Sequence, residues 1–185
     1  MPTPAGLSDP AALLASFPAP TVAVWNGPAV GAGAELLLAA DLRIFGPNAT
    51  MAFPEVGDGE LPCWGGTQRL PRFIGKTKAL ELMLTGDFMP AKDALTLGLL
   101  NKVVPAAQVL EEAKKLAKKL AAGAPVAQRE IMKAVRLGLE SNIRDGVMKI
   151  ERAASQALVF TEDFKEGSRA FIEKRKPEFW KFRKQ

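Results

Sequence analysis

Asn26-Gly27-Pro28-Ala29-Val30-Gly31-Ala32-Gly33-Ala34-Glu35 is a run of small residues that ends in a carboxylate. Before it, Thr21 to Trp25 is a short β-branched run bounded by Pro20 and by Asn26-Gly27, which reads as a buried strand. The small residues that follow allow a tight turn and a close backbone approach to a ligand. From about Gly33 the spacing becomes helical through Glu35-Leu36-Leu37-Leu38-Ala39-Ala40. A strand that passes through a tight turn into a helix leaves unpaired N–H groups at the helix start. The helix dipole adds partial positive charge there, so the turn suits an anion or a developing oxyanion. Glu35 projects from the first turn of that helix, beside the ligand.

Working outward, a second acidic stretch is Phe53-Pro54-Glu55-Val56-Gly57, followed by Leu61-Pro62-Cys63-Trp64-Gly65-Gly66-Thr67-Gln68-Arg69-Leu70. Leu42–Phe45 reads as a strand, and Gly46-Pro47-Asn48 turns the chain into Thr50–Phe53. Helix signals cover 76–84 and 90–97, with Gly98 as a stop, and Leu100–Val104 is a strand ended by Pro105. Upstream, Asp9 caps a short helix over 9–17, with Pro10 at its first position. From Ala106 onward the spacing is helical over 109–120, 126–139, 143–160 and 162–174, closed by Pro177. On the first of these, Val109, Ala113, Leu116 and Leu120 share a face, while Glu111 and Lys115 form a spaced pair on another. Strand, turn and helix thus recur as in parallel α/β units, in one domain with a helical C-terminal region.

Composition removes several classes of chemistry. The 185 residues are 48% hydrophobic and 24% charged, typical of a globular domain with a real core. No apolar run is long enough to span a bilayer and no basic-then-apolar leader opens the chain, which predicts no membrane association. One Cys excludes an intramolecular disulfide framework and fits a reducing, cytoplasmic home. With no His, the Ser-His-Asp and Cys-His nucleophile systems and the usual zinc ligand sets are ruled out. Acid–base work then falls to Asp, Glu, Lys or Cys, and no metal site is expected. Residues 1–100 carry 6 Lys/Arg against 9 Asp/Glu, whereas residues 101–185 carry 19 against 11. Solvated helix faces account for that asymmetry, and so would a phosphate-bearing ligand. The basic residues alternate with acids and lack interleaved aromatic platforms, which argues against nucleic acid.

The ordered set of strand, Asn-Gly, Gly-rich turn ending in Glu35, Asp41, Pro54-Glu55 and Gly-Gly-Thr-Gln-Arg-Leu resembles the enoyl-CoA hydratase/isomerase family, the crotonase superfamily, and the resemblance runs on to the C-terminus. It implies an α/β fold, a crotonase-like spiral of β-β-α units with a helical C-terminal trimerisation region. The boundaries are an atypical start over 1–19, a spiral core over 20–105 and the helical region over 106–185. Full-length members carry a further N-terminal segment, which supplies the first strands, one oxyanion-hole N–H and much of the pantetheine wall. Nothing in Met1–Phe17 resembles it.

The resemblance also implies the site. Glu35 and Glu55 form the acid–base pair of a hydratase, with Glu55 giving a proton to C2 of a 2-enoyl thioester and Glu35 activating the water that attacks C3. Taken singly, they read as a helix-start charge and a surface loop residue. The backbone N–H of Ala32 is one oxyanion-hole donor, provided its φ is negative, because most members carry Gly there. Cys63 and Trp64 line the acyl pocket, Trp64 shaping it for a flat or cyclic group or simply packing. Cys63, with no His to activate it, reads as a small core residue. Phe171 and Lys174 contact the CoA nucleotide across a subunit boundary, or form a basic solvated helix end. The implied partners are an acyl-CoA substrate and copies of the chain in a homotrimer or hexamer, with no cofactor beyond the CoA of the substrate. Two further readings stay open: a double-bond isomerase, and a weakly active or inactive crotonase-fold protein with a binding or assembly role.

Overall fold

The computed structural model describes residues 9–182, so residues 1–8 of the atypical start and residues 183–185 lie outside the described residues. The chain gathers into two compact units, one holding residues 9–17 and 21–115 and the other 18–20 and 116–182. Helix α1 (Pro10–Ala15) opens as expected, with Asp9 accepting from the N–H groups of Ala11 and Ala12.

The first unit is a spiral. Strand β1 (Val22–Trp25), strand β2 (Pro28–Val30) and helix α2 (Ala32–Ala39) form one β-β-α turn. Strand β3 (Leu42–Phe45), strand β4 (Thr50–Ala52) and helix α3 (Gly66–Ile74) form the next. Each turn contributes one strand to each of two sheets. One sheet runs β1-β3-β6, with β6 (Lys102–Val103), all parallel; the other runs β2-β4-β5, with β5 (Met89–Pro90) antiparallel to β4. Register is set by repetition, since Val22 to Trp25 face Leu42 to Phe45 and Pro28 to Val30 face Thr50 to Ala52. The apolar sides of the sheets and helices close on a core built around Leu38, Phe45, Met51, Phe53, Leu70 and Leu99.

Polar side chains lock the spiral where strands begin and helices end. Thr21 donates from N and Oγ1 to Asp41 Oδ2 at 2.9 and 2.8 Å, and its Oγ1 accepts the Asp41 N–H at 3.0 Å. Asn26 of the Asn-Gly pair donates from Nδ2 to the Ala106 carbonyl. Arg43 is buried; its Nε donates to Leu99 O at 2.7 Å and its Nη1 to Ala40 O at 2.6 Å. The latter satisfies a carbonyl at the C-terminal end of α2, where a cation also complements the dipole. The guanidinium lies 4.5 Å from the centre of the Phe73 ring.

Several details differ from the sequence reading. The Asn26–Glu35 stretch is not all turn, because Pro28–Val30 pairs with β4 as β2. Helix α3 carries Pro71 inside it, and a proline within a helical stretch hides the pattern from sequence reading. The rest of this unit follows as α4 (Lys76–Thr85), α5 (Ala91–Thr96) and the start of α6 (Val109–Ala121). On α6 only Val109 and Ala113 of the expected stripe are buried, Leu116 and Leu120 being half-buried. Its ion pairs include Lys114–Glu111 at 2.9 Å and Lys115–Glu112 at 2.6 Å, each three residues apart, and Lys115 also feels the Glu111 charge.

The second unit packs α7 (Pro125–Gly138) with α9 (Arg152–Val159) and α10 (Glu162–Ile172). The single helix expected over 143–160 is broken into α8 (Ile143–Asp145), a π-helical segment Gly146–Glu151, and α9. Buried Asp163 accepts the Val126 N–H at the start of α7, and Thr161 caps α10 through the Phe164 N–H. Among the described residues no helix is long and apolar enough to cross a membrane.

Candidate active site

Strand β2 enters α2 through Gly31, whose φ of 54° belongs to glycine. A Cβ there would also lie 3.2 Å from Glu55 Oε1. Gly31 is fixed at both ends: its N–H donates to Ala52 O and its carbonyl accepts the Glu35 N–H, each at 3.0 Å. That bond is the first of the helix, so the N–H groups of Ala32, Gly33 and Ala34 precede the ladder, and no side chain caps them. Ala32 does not take a positive φ; among the described non-glycine residues only Lys174 does. The condition for Ala32 to stand in place of glycine is therefore met.

Glu35 is 1% exposed, one of the few charged side chains inside the first unit. Its Oε1 accepts the N–H groups of Gly66 at 2.7 Å and Trp64 at 2.8 Å. Burial raises its carboxyl above the ordinary range, against the two N–H groups; the Glu55 charge raises it further and the Arg69 charge lowers it. Glu55 is the second residue of a 3₁₀ turn, Pro54–Asp58, and is half-buried. Its Oε2 is buried with no hydrogen-bonding partner among the described residues. A buried acceptor left unpaired costs free energy, which a ligand or water that bonds it recovers.

The turn that holds Glu35 depends on two glycines. Gly65 has φ 96°, and a Cβ on it would lie 2.4 Å from Arg69 Nη1. A Cβ on Gly66 would lie 2.9 Å from Glu35 Oε1 and equally close to Pro62 Cβ. Arg69 binds the turn twice, its N–H donating to Gly65 O at 2.8 Å and its Nη1 to Trp64 O at 2.6 Å.

Glu35, Glu55, Ala32 and Trp64 therefore all lie in the first unit, and the first two are within electrostatic reach of each other. Cys63 is exposed rather than a core residue; the buried position of its turn is taken by Pro62. Phe171 and Lys174 belong to the second unit, where Phe171 is 86% exposed at the end of α10. Lys174 follows that helix with φ 52°, a left-handed position usually filled by glycine. The contributions not anticipated are the Trp64 and Gly66 N–H groups and Arg69. The signal for them was the Gly65-Gly66 pair, which demands crowding on both residues. Among the described residues no three His, Cys, Asp or Glu side chains are placed to hold a metal ion.

Such a site has two carboxylates able to divide the taking and giving of a proton, next to a helix start with free N–H donors. A sequence profile of the enoyl-CoA hydratase/isomerase family matches residues 5–182. Crotonyl-CoA hydratase of Syntrophomonas wolfei is 41% identical over 167 residues, covering 90% of this chain and 64% of that protein. Short-chain-enoyl-CoA hydratase of Clostridium acetobutylicum is 41% identical over 164 residues, covering 89% and 62% respectively. The crystal structure of an enoyl-CoA hydratase subunit from Geobacillus kaustophilus superposes with a TM-score of 0.87 at 43% identity, covering 91% of this chain and 65% of that one. This chain thus spans somewhat under two thirds of the length of these relatives. With the spiral fold, the motif order and these likenesses in agreement, the chain belongs to the enoyl-CoA hydratase/isomerase family.

Proposed function

We propose that the chain acts on an acyl-CoA thioester and adds water across the double bond of a 2-enoyl-CoA. The observation that carries this reading is the pairing of buried Glu35 with Glu55, whose Oε2 is buried without a partner, beside the uncapped start of α2. Relatives named as crotonyl-CoA and short-chain-enoyl-CoA hydratases support it. Water held by the carboxylates attacks C3 and gives its proton to Glu35. C2 takes a proton from Glu55, which enters the cycle protonated while Glu35 enters it ionised, and the thioester oxygen bears the enolate charge against the Ala32 N–H in between. Exchange of one proton with solvent then restores the pair. The raised carboxyl of Glu35 suits a base, since a conjugate acid nearer the working pH takes a proton more readily.

In this reading Cys63 and Trp64 border the acyl group, while Phe171 and Lys174 receive the CoA nucleotide in a homotrimer or hexamer. The left-handed backbone at Lys174 supports that role, because a strained position held by a lysine rather than a glycine points to use of its ammonium. The test is hydration of crotonyl-CoA, followed by loss of the conjugated thioester absorbance. Glu55→Gln is expected to remove turnover and keep CoA binding; unchanged turnover in that variant overturns the assignment.

A further inference from the structure

We propose that Arg69 is the positioning residue of the acid–base pair: its guanidinium grips the Trp64 carbonyl and aims the flanking N–H groups at Glu35. Its role toward a pair that moves protons rests on the hydratase reading; its role toward Glu35 does not.

Three successive peptide units carry the argument. The peptide ending at the Trp64 N–H and the peptide ending at the Gly66 N–H both bond Glu35 Oε1, at 2.8 and 2.7 Å. The unit between them contains the Trp64 carbonyl, held by Arg69 Nη1 at 2.6 Å. With its middle peptide fixed, the turn cannot rotate either neighbour away from the carboxylate. Arg69 also closes the turn from its own backbone, through its N–H to Gly65 O. The turn is built around this side chain, since a Cβ on Gly65 would lie 2.4 Å from Nη1.

Charge adds to geometry. The ionisable groups acting on Glu35 are Glu55, which disfavours its ionised form, and Arg69, which favours it. Burial alone would leave Glu35 protonated further up the pH scale, and a protonated Glu35 cannot take a proton from water. The Gly66 and Trp64 N–H groups oppose burial most and the Arg69 charge adds a smaller pull the same way, so Arg69 serves the ionised form chiefly by holding those two donors in place. A lysine would keep the charge but lose the guanidinium whose Nη1 holds the carbonyl.

The experiment compares Arg69→Gln and Arg69→Lys with the unaltered protein. Glu35 is titrated by NMR on protein labelled with ¹³C at glutamate Cδ, its signal assigned by Glu35→Gln. Arg69→Gln is expected to move the Glu35 titration up, while Arg69→Lys moves it by less. In the pH profile the acidic limb of kcat moves up with it, and KM changes little. Amide exchange at Trp64 and Gly66 is expected to quicken at least about tenfold in Arg69→Lys, which keeps the charge and loosens the clamp. A folded Arg69→Gln with an unmoved Glu35 titration overturns the proposal. If that variant does not fold, unchanged exchange in Arg69→Lys does so. Titration and exchange need no substrate. A moved titration without crotonyl-CoA hydration therefore sinks the hydratase reading alone, and ordinary hydration with an unmoved titration sinks the role of Arg69 alone.

Discussion

Two buried glutamates, Glu35 in the spiral and Glu166 in the helical unit, are 1% and 5% exposed, yet the chain treats them in opposite ways. Arg175 binds Glu166 in a fork, Nη1 to Oε1 at 2.6 Å and Nη2 to Oε2 at 3.0 Å, and the Glu178 N–H adds a third bond at 2.8 Å. The Arg175 bonds, then the Glu178 N–H, pull its carboxyl down to about 2. Glu35 receives two N–H groups on one oxygen only, and a second carboxylate lies within electrostatic reach. One site spends its donors to fix a charge permanently and so anchors the segment after α10. The other leaves a carboxyl oxygen free and the proton negotiable. Burial alone does not suit a carboxylate to proton transfer; what distinguishes Glu35 from Glu166 is incomplete satisfaction.

The largest effect that would break this comparison concerns activity. Glu35→Gln is expected to lower kcat for hydration by about 100- to 10,000-fold, the usual range for a lost acid–base group. Glu166→Gln should leave kcat largely in place, so an equal loss in both variants would erase the distinction. Next, Gly66→Ala pushes a methyl to 2.9 Å from Glu35 Oε1 and should cost about 100-fold in turnover by displacing the carboxylate, with binding of CoA retained. A normal rate in Gly66→Ala would mean the grip on Glu35 is not needed.

Stability against pH sharpens the contrast, because the two signs differ. Glu166 has a lowered folded value, so its contribution is complete above the ordinary carboxylate range and is lost as pH falls from there through about 2. Glu35 has a raised value, so its contribution is complete below the ordinary range and fades as pH rises through the raised one. Urea denaturation at several pH values should show Glu166→Gln less stable at neutral pH and flatter towards acid. Glu35→Gln should be as stable as the unaltered protein at neutral pH, or more so, since an amide can still accept both N–H groups. The smallest effect is at the left-handed position after α10, where Lys174→Gly should stabilise by about 1 kcal/mol and weaken CoA binding. Unchanged CoA affinity would return Lys174 to the solvated helix end.

How much of this was legible in the sequence depends on distance along the chain. The cap at Asp9, the strands at Val22 and Leu42 and the helix after Gly31 follow from neighbouring residues, and sequence reading places them within a residue or two. Strand β2 was missed because its three residues become a strand only by pairing with β4, some 22 positions later. Helix α3 was missed because Pro71 contradicts it locally, and buried Leu70 beside it outweighs that. At the site the carboxylates were named from motif order, but their environment was not. Gly66 meets Glu35 across 31 residues and Trp64 across 29, contacts that no local pattern encodes. Cys63 was misplaced for the same reason, since buried Pro62 beside it already fills the inward position.

Trp64 holds Glu35 through its main chain and not through its indole. Every residue except proline offers the same N–H, so the side chain at this position is chemically uncommitted to the carboxylate it helps secure. Selection, or an engineer, can therefore vary that side chain across shape and polarity with the Glu35 grip intact. Only the two glycines beside it are closed to such variation. A position open to change next to positions that are not leaves room to vary the side chain beside Glu35 without first losing the proposed acid–base pair.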